Sequence, residues 1–501
     1  MVDLPRIGTS PTAPTPSAPA PSAPPAPSGD REFSYNAQDV YVMPSKSTVI
    51  KNVSGDSTPK TDKVELDGQL APEGGKYVFP DGDKTRNTAA VSFAAAAKTV
   101  EVFEKALGQP ISWAFGGPRL SVTPNEGENF NAYYSRWSGG VHFFQGTDNI
   151  IGDTIMSGAS GEVVSHEVGH AMLDALRPNY LGAWSPDPGG FHESFGDMVG
   201  MLMAFQDERS LNRAVVQTAG DLRKPNVLSA TGESLGIGIN DFKGTLKTGG
   251  DWVRNANNSF TWVDPSTLPD SGPNDQLSRE VHSFSRLWTG AFYDVLCGIQ
   301  ADNMAKGMAP KDALKATGDE GLKQLVNMMK LAPQGDFAYR DMANAWIDAD
   351  KQFNNGTRGD LIRSVMEKRQ ILPPQTPPAP PAPPAPPAPP SSNDSSIFKT
   401  VDQGTTRTLT LKLSGKQYGM FDGARLETVV DKDGSLAKDA EAASRTRNNV
   451  ERLIKSGQIR YNDPGYPMKP ADYFDPHGQP YIGIVRWDNG EMIIERSKVT
   501  A

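Results

Sequence analysis

The chain of 501 residues has a single cysteine, Cys297, six histidines and no long run of apolar residues. One cysteine forms no intrachain disulfide, which excludes a small disulfide-stabilised fold. No run approaches the roughly 18 apolar residues of a transmembrane helix. The 50 lysines and arginines are outnumbered by 59 aspartates and glutamates, so the chain lacks the basic excess of nucleic-acid-binding proteins. We therefore expect neither a membrane span nor a nucleic acid partner.

Proline is concentrated in two places: 20 of the 42 prolines fall within residues 11–27 and 373–390. A Pro/Ala/Ser-rich chain buries too little apolar surface to offset its entropy, and a Pro-Pro-Ala repeat favours extended polyproline II. These tracts divide the chain into separate parts. The strands and helices expected in those parts indicate a fold of the α+β class. Its predicted parts are a disordered tail (1–29), a β-rich lobe (30–160), an α-helical lobe (161–372), a polyproline spacer (373–394) and a small α+β module (395–501).

Local patterns predict several elements within these parts. Apolar residues at helical spacing predict buried helices over residues 88–107 and 284–299. In the C-terminal module the pattern favours a strand over 408–413 and a charged helix around 437–456. The sequence Asp488-Asn489-Gly490 between two apolar runs predicts a β-hairpin there.

Two of the six histidines lie in the sequence His166-Glu167-Val168-Gly169-His170. The odds of a chance His-Glu-x-x-His in such a chain are roughly 0.5%. Residues four apart share one face of a helix, so both imidazoles can bind one metal ion while Glu167 stands beside it. A catalytic zinc site needs a third protein ligand and an open position for water. The motif therefore requires a third ligand from elsewhere in the chain.

The third ligand is not supplied by the continuation typical of metzincins, because Leu173 and Leu176 stand where that motif needs Gly and His. A second helical segment offers Glu193 and, one turn later, Asp197. One carboxylate can bind the metal while the other accepts a hydrogen bond from a ligand histidine. His192 is the alternative ligand, but neighbouring residues point in different directions on a helix. The register favours Glu193 and leaves His192 as a rim or capping residue.

These residues resemble the thermolysin-like members of the gluzincin metallopeptidases over roughly residues 60–355. That family combines His-Glu-x-x-His with a later Glu-x-x-x-Asp helix. The resemblance extends to Asn131-Ala132-Tyr133-Tyr134, which is similar to the family's substrate-binding edge strand, to Glu162 and to Val281-His282-Ser283. It implies two lobes, β-rich and α-helical, with zinc in the cleft between them.

The resemblance also implies a role for each matching residue. His166, His170 and Glu193 would bind Zn²⁺, Asp197 would orient a ligand histidine, and Glu167 would be the general base. The implied donors to the oxyanion are His282 and Tyr180, and the implied substrate-binding residues are Asn131, Ala132 and Arg223. Calcium is a possible second cofactor, but the usual double site looks incomplete because Ala204 stands where the family commonly has a glutamate.

We expect a zinc endopeptidase acting on proteins or peptides. A gluzincin aminopeptidase would carry a Gly-x-Met-Glu-Asn segment, which this sequence lacks. The other alternative is an inactive metalloprotease-like adhesion or effector protein. The module at 395–501 contains no catalytic cluster, and its position beyond a spacer suggests targeting, cargo loading or substrate docking through a protein partner. No secretory signal pattern opens the sequence, so we expect either a cytoplasmic protein or export by a non-classical route.

Overall fold

The structure, a computed structural model, describes residues 28–148, 152–242, 250–375, 397–466, 468–475 and 481–497. The predicted tail and spacer lie outside these ranges except at their ends. Within them the chain is a mixed α+β protein. None of the described helices combines the length and apolar character that crossing a membrane requires.

Within the described residues, the N-terminal part contains eight strands and one long helix. Strands β1 (Gly29–Tyr35) and β2 (Lys46–Val53) pair antiparallel, as do β7 (Gln145–Thr147) and β8 (Thr154–Met156). A four-stranded sheet has the spatial order β3 (Val64–Leu66), β4 (Leu120–Thr123), β6 (Gly140–Phe143) and β5 (Ala132–Ser135). Strand β5 therefore lies at the edge of its sheet, where an extended peptide could pair with it.

Helix α1 (Lys84–Leu107) confirms the buried helix predicted over residues 88–107 and begins four residues earlier. Asp83 caps it by accepting a hydrogen bond from the backbone amide of Arg86. Gly108 ends it in the left-handed region, with φ of 72°. The alanine-rich face of α1 is buried against the rest of the N-terminal part and against the helices that follow.

The following part is mainly helical and confirms the helix predicted over 284–299, which lies within α6. Its helices are α2 (Gly161–Leu176), α3 (Pro186–Phe205), α4 (Glu208–Thr218), α5 (Glu233–Phe242), α6 (Val281–Ala305), α7 (Pro310–Leu331), α8 (Tyr339–Phe353) and α9 (Gly359–Lys368). Two short strands, β9 (Ala230–Thr231) and β10 (Arg254–Asn255), pair between α4 and α6. One apolar core joins this part to the N-terminal part, with members from Phe33 to Leu372. The division of residues 30–372 into two lobes at 160 stays a prediction.

Helices α2 and α3 approach each other closely because glycines face each other between them. A Cβ on Gly169 would lie 3.0 Å from the Cα of Gly196, and a Cβ on Gly196 would lie 2.6 Å from Nδ1 of His166. Larger side chains at these two positions would push the helices apart. The glycines therefore let the histidines of α2 reach the carboxylates of α3.

The C-terminal module is a six-stranded sheet with one long helix packed on it. The spatial order of its strands is β11 (Ile397–Gln403), β12 (Thr406–Lys412), β13 (Arg425–Asp431), β16 (Glu491–Arg496), β15 (Gly483–Asp488) and β14 (Ile459–Arg460). The predicted charged helix is α10 (Leu436–Lys455). The predicted hairpin joins β15 to β16, and both Asn489 and Gly490 have positive φ, as a type I′ turn requires.

Candidate metal centre

Helix α2 presents both histidines of the His-Glu-x-x-His sequence to α3. Ser160 caps the helix by accepting a hydrogen bond from the amide of Val163. Val164, Val168 and Met172 are fully buried in the core and fix the rotation of the helix. His166, Glu167 and His170 can each offer one ligand atom, and these atoms lie within 4.8 Å of one another. The three side chains are buried and form a group that could hold a metal ion.

Glu193 of α3 lies between the two histidines. Its Oε2 is 3.4 Å from Nε2 of His166, and its Oε1 is 3.5 Å from Nε2 of His170. Burial raises the pKa of a carboxyl group, but His282, His170 and His166 together hold the pKa of Glu193 well below its ordinary value. Glu193 is therefore an ionised carboxylate that faces the Nε2 atom of each imidazole.

Asp197, one turn after Glu193, holds the other side of His166. Its Oδ1 lies 3.0 Å from Nδ1 of His166, so Nε2 of that ring is left to face Glu193. Burial opposes the charged form of Asp197, but Arg254 and His166 lower its pKa to about 2. The histidine that Asp197 orients is thus His166, one of the two that the sequence allowed.

His170 is oriented by His192. The Nδ1 atoms of the two rings lie 2.7 Å apart, so one donates a hydrogen bond and the other accepts it. Burial lowers the pKa of His192 well below its usual value, and the neighbouring His170 adds to this effect. The side chain of His192 is 2% exposed, which corrects the prediction of a rim residue. His192 therefore contacts the ligand candidate His170 on the side of the ring that faces away from Glu193.

Arg254 is a functional candidate that the sequence did not single out. Its Nε lies 3.0 and 2.9 Å from the two carboxylate oxygens of Asp197, and its Nη2 lies 2.8 Å from Oδ1. It also lines the cleft beside His166 and Glu167. The short strand β10 brings it there, and no motif in the sequence marks this strand.

The cleft in front of the histidines has a volume of about 1100 Å³. Glu167 lines it, and burial raises the pKa of Glu167 although His166 and His170 oppose that shift. Asn131 and Ala132 line it from the side of β5. The structure therefore brings two of the three predicted substrate-binding residues and the predicted general base to one cleft.

His282 reaches the cleft from the first turn of α6. Its Nδ1 lies 2.6 Å from Oε1 of Glu280, and its Nε2 lies 3.3 Å from Oε2 of Glu193. Burial disfavours the charged form, but Glu193 and Glu280 raise the pKa of His282 to about 9. His282 is thus placed as a hydrogen-bond donor beside the metal-ligand candidates.

Two of the predicted site residues, Tyr180 and Arg223, lie away from the cleft, contrary to the sequence prediction. Tyr180 is buried, and its hydroxyl group donates a hydrogen bond to the carbonyl group of Pro333. Arg223 pairs with Asp294, with 2.9 Å between Nη1 and Oδ1. Neither residue lines the cleft. The cleft is lined instead by Arg254, which β10 brings there.

A second group of carboxylates stands near the start of α2. One carboxylate oxygen each from Asp39, Glu162 and Glu233 lies within 4.8 Å of the others, and this group could also hold a cation. Burial is the largest influence on all three and raises each pKa. Ala204 is buried in α3, and calcium as a second cofactor stays a prediction.

Comparison with known proteins by sequence found no relatives: no protein-family model and no curated protein matches the chain.

Proposed function

We propose that the protein is a zinc-dependent endopeptidase with a thermolysin-like arrangement of its lobes. The observation that carries the proposal is the placement of Glu193, whose two carboxylate oxygens face Nε2 of His166 and Nε2 of His170 at 3.4 and 3.5 Å. Ligand atoms about 2.0–2.1 Å from one zinc ion in a tetrahedral site lie about 3.3–3.4 Å from one another. The two nitrogen–oxygen distances, each to a different oxygen of Glu193, are close to this spacing.

The polar atoms of the cluster support a bound cation. Among the described residues, Oε2 of Glu193 and Oε2 of Glu167 are buried and make no hydrogen bond of normal geometry, although Oε2 of Glu193 faces Nε2 of His166 and of His282 at 3.4 and 3.3 Å. Buried polar atoms are rarely left in this state, and an ion is one way to satisfy them. Two imidazoles and a carboxylate are a ligand set that zinc prefers, and thiolate ligands are ruled out because the one cysteine, Cys297, is buried in α6.

Glu193 and Glu167 take different roles in this proposal. Glu193 faces both imidazole Nε2 atoms and does not line the cleft, so it is assigned as the third ligand. Glu167 lines the cleft, so it can reach a substrate and is assigned as the general base. In this role Glu167 accepts a proton from the attacking water and delivers it to the departing amine. When bound, zinc would polarise the carbonyl group of the scissile bond and activate the water.

Other residues at the cleft would hold the substrate and stabilise the reaction. His282 would donate a hydrogen bond to the oxygen of the tetrahedral intermediate. Arg254 would bind a carbonyl group of the peptide while it holds Asp197 in place. Asn131 and Ala132 would pair with the peptide backbone along β5. An apolar side chain of the substrate would fit beside Val163, Leu235 and Val253, which line the same cleft.

The test is cleavage of short internally quenched peptides that are blocked at both ends. The proposal predicts internal cuts by the zinc-loaded full-length protein, loss of cutting with a zinc chelator and recovery when zinc is restored. An aminopeptidase would need a free amino terminus, so cutting only of unblocked peptides would favour that alternative. A zinc-loaded protein that cuts neither kind of peptide would favour the inactive adhesion or effector protein.

A further inference from the structure

The C-terminal module meets the edge strand β5 just beyond the cleft. Phe474 lies against Tyr133, with 6.0 Å between ring centroids, and Tyr473 stacks on Trp137 at 6.4 Å. Tyr133 follows Ala132, the last residue of β5 that lines the cleft. A peptide that pairs with β5 and continues toward Ser135 would therefore meet the ring of Phe474.

The same module also meets the opposite wall of the cleft. Nη1 of Arg452, in α10, lies 2.6 Å from Oδ1 of Asp270. The next two residues, Ser271 and Gly272, line the cleft. The module thus contacts both walls, β5 on one side and the loop before α6 on the other.

Between these two contacts the module rests on the segment that leads into α3. Nη1 of Arg496 donates a hydrogen bond of 2.8 Å to the carbonyl group of Ala183. The amide group of Asn449 donates one to the carbonyl group of Trp184. This segment leads directly into α3, the helix that carries Glu193.

The module is held there by a shared core. The side chain of Trp184 is 1% exposed and belongs to the same apolar cluster as Leu409, Leu426, Val450 and Val485 of the module. The backbone of Gly483 approaches the Trp184 ring so closely that a Cβ there would lie 3.0 Å from it. Separating the module would expose this tryptophan and the cluster around it to water.

The module adjoins the cleft at β5 and at the loop before α6 but does not line it. Every described residue that lines the cleft belongs to the part of the chain before residue 287, and none belongs to the module. A plug that blocks the site would instead place module side chains beside Glu167. The module therefore stands beside an open cleft and not inside it.

We propose that the C-terminal module is the end wall of the substrate cleft and that Phe474 sets how far a peptide can extend along β5 beyond the scissile bond. This inference rests on the proposed peptidase function. It narrows the substrate class to chains in which the scissile bond lies within a few residues of one end. Longer chains on that side must bend away from β5 and lose its backbone hydrogen bonds.

The experiment measures kcat/KM of the zinc-loaded full-length protein for blocked peptides that share one scissile bond. One series is lengthened residue by residue on the amino side and a second on the carboxyl side. The proposal predicts that one series is tolerated and that in the other kcat/KM falls by about tenfold or more at a defined length. Phe474→Ala should move that limit to longer peptides. Met420→Ala, a change at an exposed apolar residue of the module, should leave the limit unchanged.

The wild-type length series tests the wall even if Phe474→Ala proves unstable. Equal kcat/KM at all lengths on both sides would overturn the proposal while leaving the peptidase function intact. An unchanged limit in a folded Phe474→Ala protein would also overturn the role of that residue. Failure of the peptidase function has a different signature, because zinc-loaded protein would then cut no peptide of any length, and the end wall would fall with it.

Discussion

The Nδ1 atoms of His170 and His192 lie 2.7 Å apart in the interior of the protein. Nε2 of His170 faces Glu193, so the proton of a metal-binding His170 belongs on Nδ1, and His192 accepts the hydrogen bond. A neutral His192 can do this, and its lowered pKa keeps it neutral. One imidazole thereby fixes the tautomer and the orientation of another, a task that carboxylates or carbonyl groups usually perform in metal sites.

Replacing His192 tests this contact. His192→Phe keeps an aromatic ring of similar size but removes the acceptor, so we expect zinc affinity to fall by about 10–100-fold. The measurement is competition with a chromophoric chelator of known affinity. His192→Asn retains an acceptor and should restore most of the affinity. Equal zinc affinity in the phenylalanine variant and the wild type would contradict the role of His192.

Glu167→Gln should separate catalysis from metal binding. The amide is nearly the same size as the carboxylate but does not accept a proton, so we expect peptide cleavage to fall by about 10²–10⁴-fold. Zinc content should remain near that of the wild type, because the proposal assigns Glu193 and not Glu167 as the third ligand. Metal analysis of the purified variant provides the check. Loss of zinc from Glu167→Gln would instead make Glu167 a ligand.

A pair of arginine substitutions tests which arginine serves the cleft. Arg254→Ala removes the guanidinium group that holds Asp197 and lines the cleft, so we expect kcat/KM to fall by about tenfold or more. Arg223→Ala is the matched control, because Arg223 pairs with Asp294 away from the cleft. It should change kcat/KM little. The reverse order of effects would support the assignment made from the sequence.

Asp187, at the start of α3, should make stability depend on pH. Burial raises its pKa to about 7, whereas an unfolded aspartate titrates near 4. The folded state therefore holds a proton that the unfolded state releases, and the free energy of unfolding falls as the pH rises between about 4 and 7. Asp187→Asn keeps an acceptor for the backbone amide of Tyr339 and removes this loss.

Calorimetry between about pH 4 and pH 8 provides the measurement. The Asp187→Asn variant should melt at a higher temperature than the wild type at about pH 8 and at a similar temperature at about pH 4. The gain at the higher pH should reach about 1 kcal/mol or more. A variant that is less stable than the wild type at the higher pH would show that the folded protein needs the charge of Asp187.

Local patterns predicted those parts of the fold that depend on neighbouring residues. The helical spacing before Leu107 and the Asn489-Gly490 turn both gave elements that the structure confirms. Within the centre, the i,i+4 spacing of His166 and His170 placed both on one helix face. The same i,i+4 spacing placed Glu193 and Asp197 on one face of α3, where both reach His166.

Patterns of neighbouring residues did not predict the contacts between segments that are distant in the chain. Arg254 belongs to a two-residue strand whose position depends on its pairing with Thr231 and Ala230, and so the sequence favoured Arg223. His192 looked like a rim residue because its neighbour Glu193 faces the metal site, yet the close packing of α2 and α3 buries both. The contact of Trp184 with the C-terminal module likewise joins residues that are far apart in the chain.

The most direct test of the account is zinc analysis of the full-length protein together with X-ray absorption at the zinc edge. The account predicts about one zinc per chain, bound by two imidazole nitrogens and by oxygen atoms from Glu193 and solvent. Glu193→Ala should lower zinc affinity sharply while the folded state persists. A protein that takes up no zinc, or one whose zinc environment is unchanged in Glu193→Ala, would contradict the account.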